Sequence, residues 1–98
     1  MVVGSLCMEL HLPASRSLKA KRAEVRPILD GVRARFRISA AEVAHQDTWQ
    51  RAALGFAVVS SSTAQVDNVL DEVERFVWSR PGVDVLDATR AWMEEDTQ

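Results

Sequence analysis

Residues 2–12 (Val-Val-Gly-Ser-Leu-Cys-Met-Glu-Leu-His-Leu) alternate in character, and this does most to limit what the chain can fold into. Val2, Leu6, Met8, Leu10 and Leu12 share one parity with Gly4, whereas Ser5, Cys7, Glu9 and His11 share the other with Val3. Successive side chains of a strand point to opposite faces, so the pattern predicts a strand with one face in a core. Pro13 ends it, because proline has no amide hydrogen to continue a ladder.

The period then changes. Ser17 is a predicted N-cap, and Leu18, Val25, Leu29, Val32 and Phe36 recur at helical spacing after it. Pro27 and Gly31 interrupt that pattern, so a kinked or broken helix is expected up to about Phe36. Residues 37–44 read as a second strand, weakened by Ala40, Ala41 and Ala44. Residues 53–60 are almost all apolar or small, which predicts a central third strand buried on both faces. Ser62-Thr63-Ala64-Gln65 is a capping-box pattern opening a helix with Val66, Val69, Leu70, Val73 and Val77 on one face. Arg80-Pro81-Gly82 stops that helix, residues 83–93 form a last strand, and residues 94–98 are an acidic tail expected to fray. This order predicts one domain over residues 1–98. Its fold class is α+β, a ferredoxin-like βαββαβ sandwich of a four-stranded antiparallel sheet with two helices on one face.

Bulk properties narrow the setting. With 98 residues, 47% of them hydrophobic, the chain makes one small folded domain, for which self-association is a natural expectation. Cys7 is the single cysteine, so no internal disulfide can form and no zinc-type Cys/His spacing exists. A reduced, cytoplasmic location follows as an expectation. The N-terminus lacks the basic and apolar regions of a signal peptide, and no apolar run suffices to span a membrane. The net charge of −2 hides an asymmetry: residues 1–51 carry nine Lys/Arg against five Asp/Glu, whereas residues 52–98 carry three against nine. Such a division suggests one basic face, or two faces that attract each other between subunits.

Residues that carry chemistry concentrate in His45-Gln46-Asp47-Thr48-Trp49-Gln50-Arg51, a polar string between two apolar runs. His45 and Asp47 are two apart and would share a face in an extended segment, with His11 able to face them. A metal would still need a third well-placed ligand, and Cys7 would need a base to act as a nucleophile. The plainer expectation is that His45 and Asp47 hydrogen-bond the backbone and shape the connection. In the first helix Lys19, Arg22, Arg26, Arg33 and Arg37 fall within about 60° of one another, with Asp30 among them. They can track phosphates, or form a solvated face whose long stems cover the edge of the core. Gly55-Phe56-Ala57-Val58-Val59 partly echoes an RNA-recognition strand, but Val58 and Ser61 stand where stacking aromatics belong, so base binding in that mode is not expected. Trp49, Trp78 and Trp92 each end or interrupt an element, where an aromatic can cap a small core or meet a subunit.

Three segments together resemble the YlxP-like family of small bacterial proteins, a domain of unknown function. They are Leu12-Pro13 with Arg16-Ser17-Leu18-Lys19-Ala20-Lys21-Arg22, then Glu42-Val43 leading through the His45–Arg51 string to Ala52, then Gly55-Phe56-Ala57-Val58-Val59-Ser60. The resemblance spans essentially the whole chain and departs from the pattern at Pro27 and Gly31. It implies a ferredoxin-like fold in a cytoplasmic bacterial protein, with relatives encoded near translation-initiation and ribosome-maturation factors. It implies no enzyme activity, no catalytic residues and no cofactor. The leading expectation is a non-enzymatic accessory to RNA or a ribosomal subunit, with Arg16, Lys19, Lys21, Arg22, Arg26 and Arg33 contacting phosphates and Arg51 assisting. The alternative is a homodimerising domain, pairing sheets or edges, with a small-ligand or protein-partner site around His45, Gln46, Asp47, Trp49, Gln50 and Arg51. Neither reading involves a metal or a membrane.

Overall fold

The computed structural model describes residues 1–96. Its elements are β1 (Val2–His11), α1 (Leu18–Phe36), β2 (Ser39–Ala44), β3 (Arg51–Ser60), α2 (Thr63–Trp78) and β4 (Asp84–Glu94). The strands form one antiparallel sheet in the order β2-β3-β1-β4, so the first and third strands are central. Two β-α-β halves with this order make the ferredoxin-like arrangement that the alternation of patterns implied.

Alternation in β1 places Val2, Gly4, Leu6, Met8 and Leu10 under the helices, all of them buried. Cross-strand partners share a face, so Phe56 opposite Leu6 and Leu54 opposite Met8 join the same core. Val25, Ile28, Leu29 and Val32 of α1 close it from above, as do Val66, Leu70, Val73 and Val77 of α2. β3 is central but not buried on both faces as its composition suggested. Leu54, Phe56 and Val58 are covered by the helices; on the far side Ala53 is buried and Val43 lies over Gly55, but Val59 is 64% exposed, because no second layer covers that face. β3 also begins at Arg51, two residues before the apolar run, since Leu12 N–H and the β1 ladder carry the pairing on to Gln50 and Arg51.

The first helix runs unbroken from Leu18 to Phe36, with Pro27 inside it. Pro27 and Ala23, four residues earlier, are both exposed, so water can reach the carbonyl that proline leaves without a partner. Gly31 is a packing position: a Cβ there would lie 2.7 Å from Phe76 Cζ of α2, so the absent side chain lets the helices approach. Arg37 then takes a left-handed conformation (φ 55°) and its N–H donates to Arg33 O at 3.0 Å, which delays β2 to Ser39. At the start of α2 the Ser62 hydroxyl accepts from Gln65 N–H at 3.3 Å. The reciprocal half of the capping box is relayed: Ser62 N–H donates to Ser60 Oγ, and Ser60 Oγ–H donates to Gln65 Oε1 at 2.8 Å. At the far end, Glu94 belongs to β4 and Glu95 N–H donates to Met1 O at 2.9 Å, so the acidic tail is paired that far; Thr97 and Gln98 lie outside the described residues.

Gly4 marks the closest approach of α2 to the sheet, since a Cβ there would fall 2.2 Å from Val66 Cγ1. Val66 is fully buried and β-branched, so it cannot swing aside. Gly4→Ala should therefore lower stability by about 1–3 kcal/mol through overpacking. Gly31→Ala should be near neutral, because the tip of the Phe76 ring can yield while alanine improves helix propensity by about 1 kcal/mol. Urea unfolding midpoints of the two variants test the difference. Equal losses would show that the α2–β1 contact is not the tight one.

Candidate functional site

Lys21 organises the polar string. It lies four residues before Val25 and seven before Ile28, on the helical stripe that faces the core, and its side chain is fully buried. Its ammonium donates to His45 O at 2.7 Å, Gln46 O at 3.1 Å and Arg51 O at 3.4 Å. It also lies 2.9 Å from Glu42 Oε2, in an approach outside hydrogen-bond geometry, so that contact is an ion pair. A buried ammonium is costly unless its charge and its donors are all matched, and here three carbonyls and one carboxylate match them. Lys21 is therefore no part of a surface that could meet phosphate, contrary to its assignment from sequence. Its place on the apolar stripe was the signal that could have shown this.

The connection takes its shape around that ammonium. His45 is left-handed (φ 63°), a conformation that histidine adopts more readily than bulkier residues. Its carbonyl accepts from both Lys21 Nζ and Thr48 N–H, the latter at 3.0 Å. Gln50 reaches the turn after β1, where its Nε2 donates to Pro13 O at 3.3 Å and Ser15 O at 3.2 Å, while Leu12 N–H donates to Gln50 O at 2.9 Å. The imidazole of His45 turns to the sheet instead of the local backbone. Its Nε2 lies 3.1 Å from Glu9 Oε2, and Arg51 Nη2 lies 3.3 Å from the same oxygen. His11 pairs with Asp84 at 3.4 Å across β1 and β4, so it does not join His45 and Asp47. The Gln46 side chain makes one contact at the limit of hydrogen bonding, Nε2 to Glu42 O at 3.5 Å, and Asp47, Thr48 and Trp49 are exposed. The string thus divides into residues that fix the connection (His45, Gln50, Arg51) and residues that it displays (Asp47, Trp49). Among the described residues, no three His, Cys, Asp or Glu side chains are grouped to hold a metal. Burial, then the charges of Glu9 and Asp87, push the Cys7 thiol up, which makes it a poor nucleophile at neutral pH.

The basic stripe of α1 is on the surface, but its members differ. Lys19, Arg22 and Arg26 are exposed and, among the described residues, pair with no carboxylate; with Ala23, Pro27 and Asp30 they line a shallow groove of about 410 Å³. Arg33 is held by Asp30 at 3.3 Å and by the carbonyl of Ala40. Arg16 is folded back onto Pro13 O at 2.8 Å and Ser15 O at 3.3 Å. The acidic residues belong to other elements. Arg90 of β4 is clamped by Asp71 at 2.8 Å and Glu74 at 3.0 Å, both of α2. Burial alone would lower the Arg90 pKa, but those two carboxylates outweigh it and hold the guanidinium above its ordinary value. Trp92 Nε1 donates to Asp67 at 3.1 Å, which ties that indole to α2 and away from the open sheet face. Phe56 faces the core and is 2% exposed, so the sheet carries no base-stacking ring on β3.

The family described as "Protein of unknown function (DUF503)" matches residues 3–90. The uncharacterised protein YlxP of Bacillus subtilis (strain 168) is 41% identical over 91 residues, which cover 93% of this chain and 99% of the relative. Among solved structures, a de novo designed protein with a ferredoxin fold, LFR1 1, superposes with a TM-score of 0.59 over 97% of this chain and 88% of its own, at 14% identity. That likeness concerns the fold alone. No helix among the described residues is long and apolar enough to cross a membrane.

Lys21→Met keeps the approximate volume of the side chain but removes the ammonium from Glu42 and from the carbonyls of His45, Gln46 and Arg51, of which His45 O keeps Thr48 N–H. It should cost about 3–5 kcal/mol, as removal of one member of a buried pair does. Lys19→Met, two residues earlier and on the exposed side of the helix, should stay within about 0.5 kcal/mol of the parent. Chemical unfolding of the two variants compares them directly, and similar midpoints would show that Lys21 does not hold the connection.

Proposed function

The chain belongs to the DUF503 family, whose function is unknown, and from its charge geometry we propose that it is a non-enzymatic accessory that binds RNA, free or within a ribosomal subunit, along the exposed side of α1. The observation that carries this reading is the set Lys19, Arg22 and Arg26, three exposed neighbouring cations on one side of α1 that, among the described residues, pair with no carboxylate. Unpaired cations at helical spacing attract a phosphate chain by releasing its condensed counter-ions. The overall charge of −2 is a weak objection, because the α2 carboxylates Asp71, Glu72 and Glu74 are engaged with Arg75 and Arg90, and Asp67 with Trp92. Arg33 can add a partial contact. Arg16 and Arg51 serve the backbone and Glu9 first. The lone free thiol, Cys7, accords with a reduced, cytoplasmic setting.

Co-sedimentation of the purified protein with ribosomal subunits, alongside filter binding to structured RNA, tests this reading. Association should weaken as salt rises, with a logarithmic slope corresponding to about three phosphates. Arg22→Glu with Arg26→Glu should abolish it, whereas Arg75→Glu on α2 should leave it intact. Absence of association at low salt, or survival of binding in the Arg22/Arg26 variant, would refute the assignment.

A further inference from the structure

The sheet face opposite the helices carries a pattern that ordinary solvent exposure does not call for. An antiparallel sheet with one solvated face usually alternates apolar-in and polar-out. The strand registers divide this open face into rows. Val59, Val3 and Met93 form a bulky apolar row across β3, β1 and β4. Ala57, Ser5 and Ala91 form the next, extended by Ser39 of β2. Gly55, Cys7 and Thr89 form a third, extended by Ala41. None of these side chains carries a charge. Charges begin one row further on, with Glu9, Asp87 and the Glu9 partners His45 and Arg51. In the bulky row Val59 is 64% and Met93 53% exposed. The two small rows form a hollow of about 420 Å³ whose lining includes Ser5, Cys7, Ala41, Gly55 and Ala57, with Val43 of β2 lying over Gly55 at its edge and 52% exposed.

We propose that this face is covered by a second copy of the chain, packed sheet to sheet about a twofold axis along the Ala57–Ser5–Ala91 row. An axis lying in the interface and crossing the strands reverses row order while keeping each strand over its counterpart. Val59 of one copy then meets Val43 where it lies over Gly55 of the other, while Val3 stands over Cys7 and Met93 over Thr89. The bulky row of each copy thus meets the row of Val43, Cys7 and Thr89 of its partner twice, apolar or uncharged against apolar, which is the two-way matching an isologous dimer requires. The middle row meets itself through alanine and serine, small enough for the sheets to approach to about 10 Å. The charged row falls at the rim, as in interfaces with an apolar centre and a polar border. The area also suffices. Four strands and four rows project to roughly 500 Å², taking about 4.8 Å between strands and 6.8 Å between same-face rows. Two such faces bury about 1,000 Å² in total, the size at which a specific interface begins. Both α1 stripes remain on the outside, so this pairing is independent of RNA binding.

The test is sedimentation of the full chain from micromolar to near-millimolar concentration, together with Ala57→Arg, which sets two guanidinium groups against each other on the axis. The parent should form a dimer and Ala57→Arg should remain a folded monomer, while Leu86→Arg at the β4 edge should still dimerise. Maleimide labelling of Cys7 in the parent chain gives a readout free of mutation: its rate should fall as protein concentration rises. A monomeric parent, a dimer that survives Ala57→Arg, or a labelling rate independent of concentration would each overturn the proposal. Loss of dimerisation in Leu86→Arg alone would assign the contact to the sheet edge instead.

Discussion

One ammonium group sets the local architecture on which the polar string depends. Lys21 lies at the start of α1, inside the apolar stripe, and reaches the β2–β3 connection. Desolvating that charge is tolerable only if the connection brings its carbonyls to it, so the left-handed turn at His45 and the path of residues 45–51 follow from the lysine. Gln50 fastens the same connection to the turn after β1. The opening helix and the His45–Arg51 string therefore belong to one joint, far apart in sequence and adjacent in space. This accounts physically for their joint presence in the sequence without requiring that either perform chemistry.

With the joint assigned to the fold, the surface left for recognition is smaller and better defined. Lys19, Arg22 and Arg26 stand free on α1, whereas α2 and β4 use their charges on one another. Trp49 is held outward by a connection whose backbone is fixed. On the other side of the sheet, three uncharged rows lie bare. The molecule thus has a cationic outer helix and an apolar inner face, and neither surface obstructs the other.

The fold was legible because each element repeats its period several times. The alternation in β1, the valine stripe of α2 and the Ser62 cap all took the structural forms that their patterns predict. What escaped were features decided by a partner distant in sequence. The effect of Pro27 depended on which side of α1 faces water, and that of Gly31 on Phe76 across the helix pair. β3 reads as doubly buried from composition, because small residues look alike whether covered by a second layer or left bare. Lys21 was misread for a chemical reason: a lysine among cations is taken as surface charge, and only the carbonyls of a connection more than twenty residues away make its burial tenable. The pairing of His45 with Glu9 has the same origin, since no local pattern links β1 to the end of β2.

The central claim, that a buried lysine holds the connection, is tested most directly by nitrogen-15 NMR of the Lys21 side chain. An ammonium enclosed by His45 O, Gln46 O and Arg51 O exchanges its protons slowly, so its proton–nitrogen correlation should persist at neutral pH, where exposed lysines lose theirs to water. Through-bond couplings from Nζ to the carbonyl carbons of His45 and Gln46 should accompany it. A Lys21 signal that exchanges as fast as that of Lys19, with no such coupling, would contradict the account.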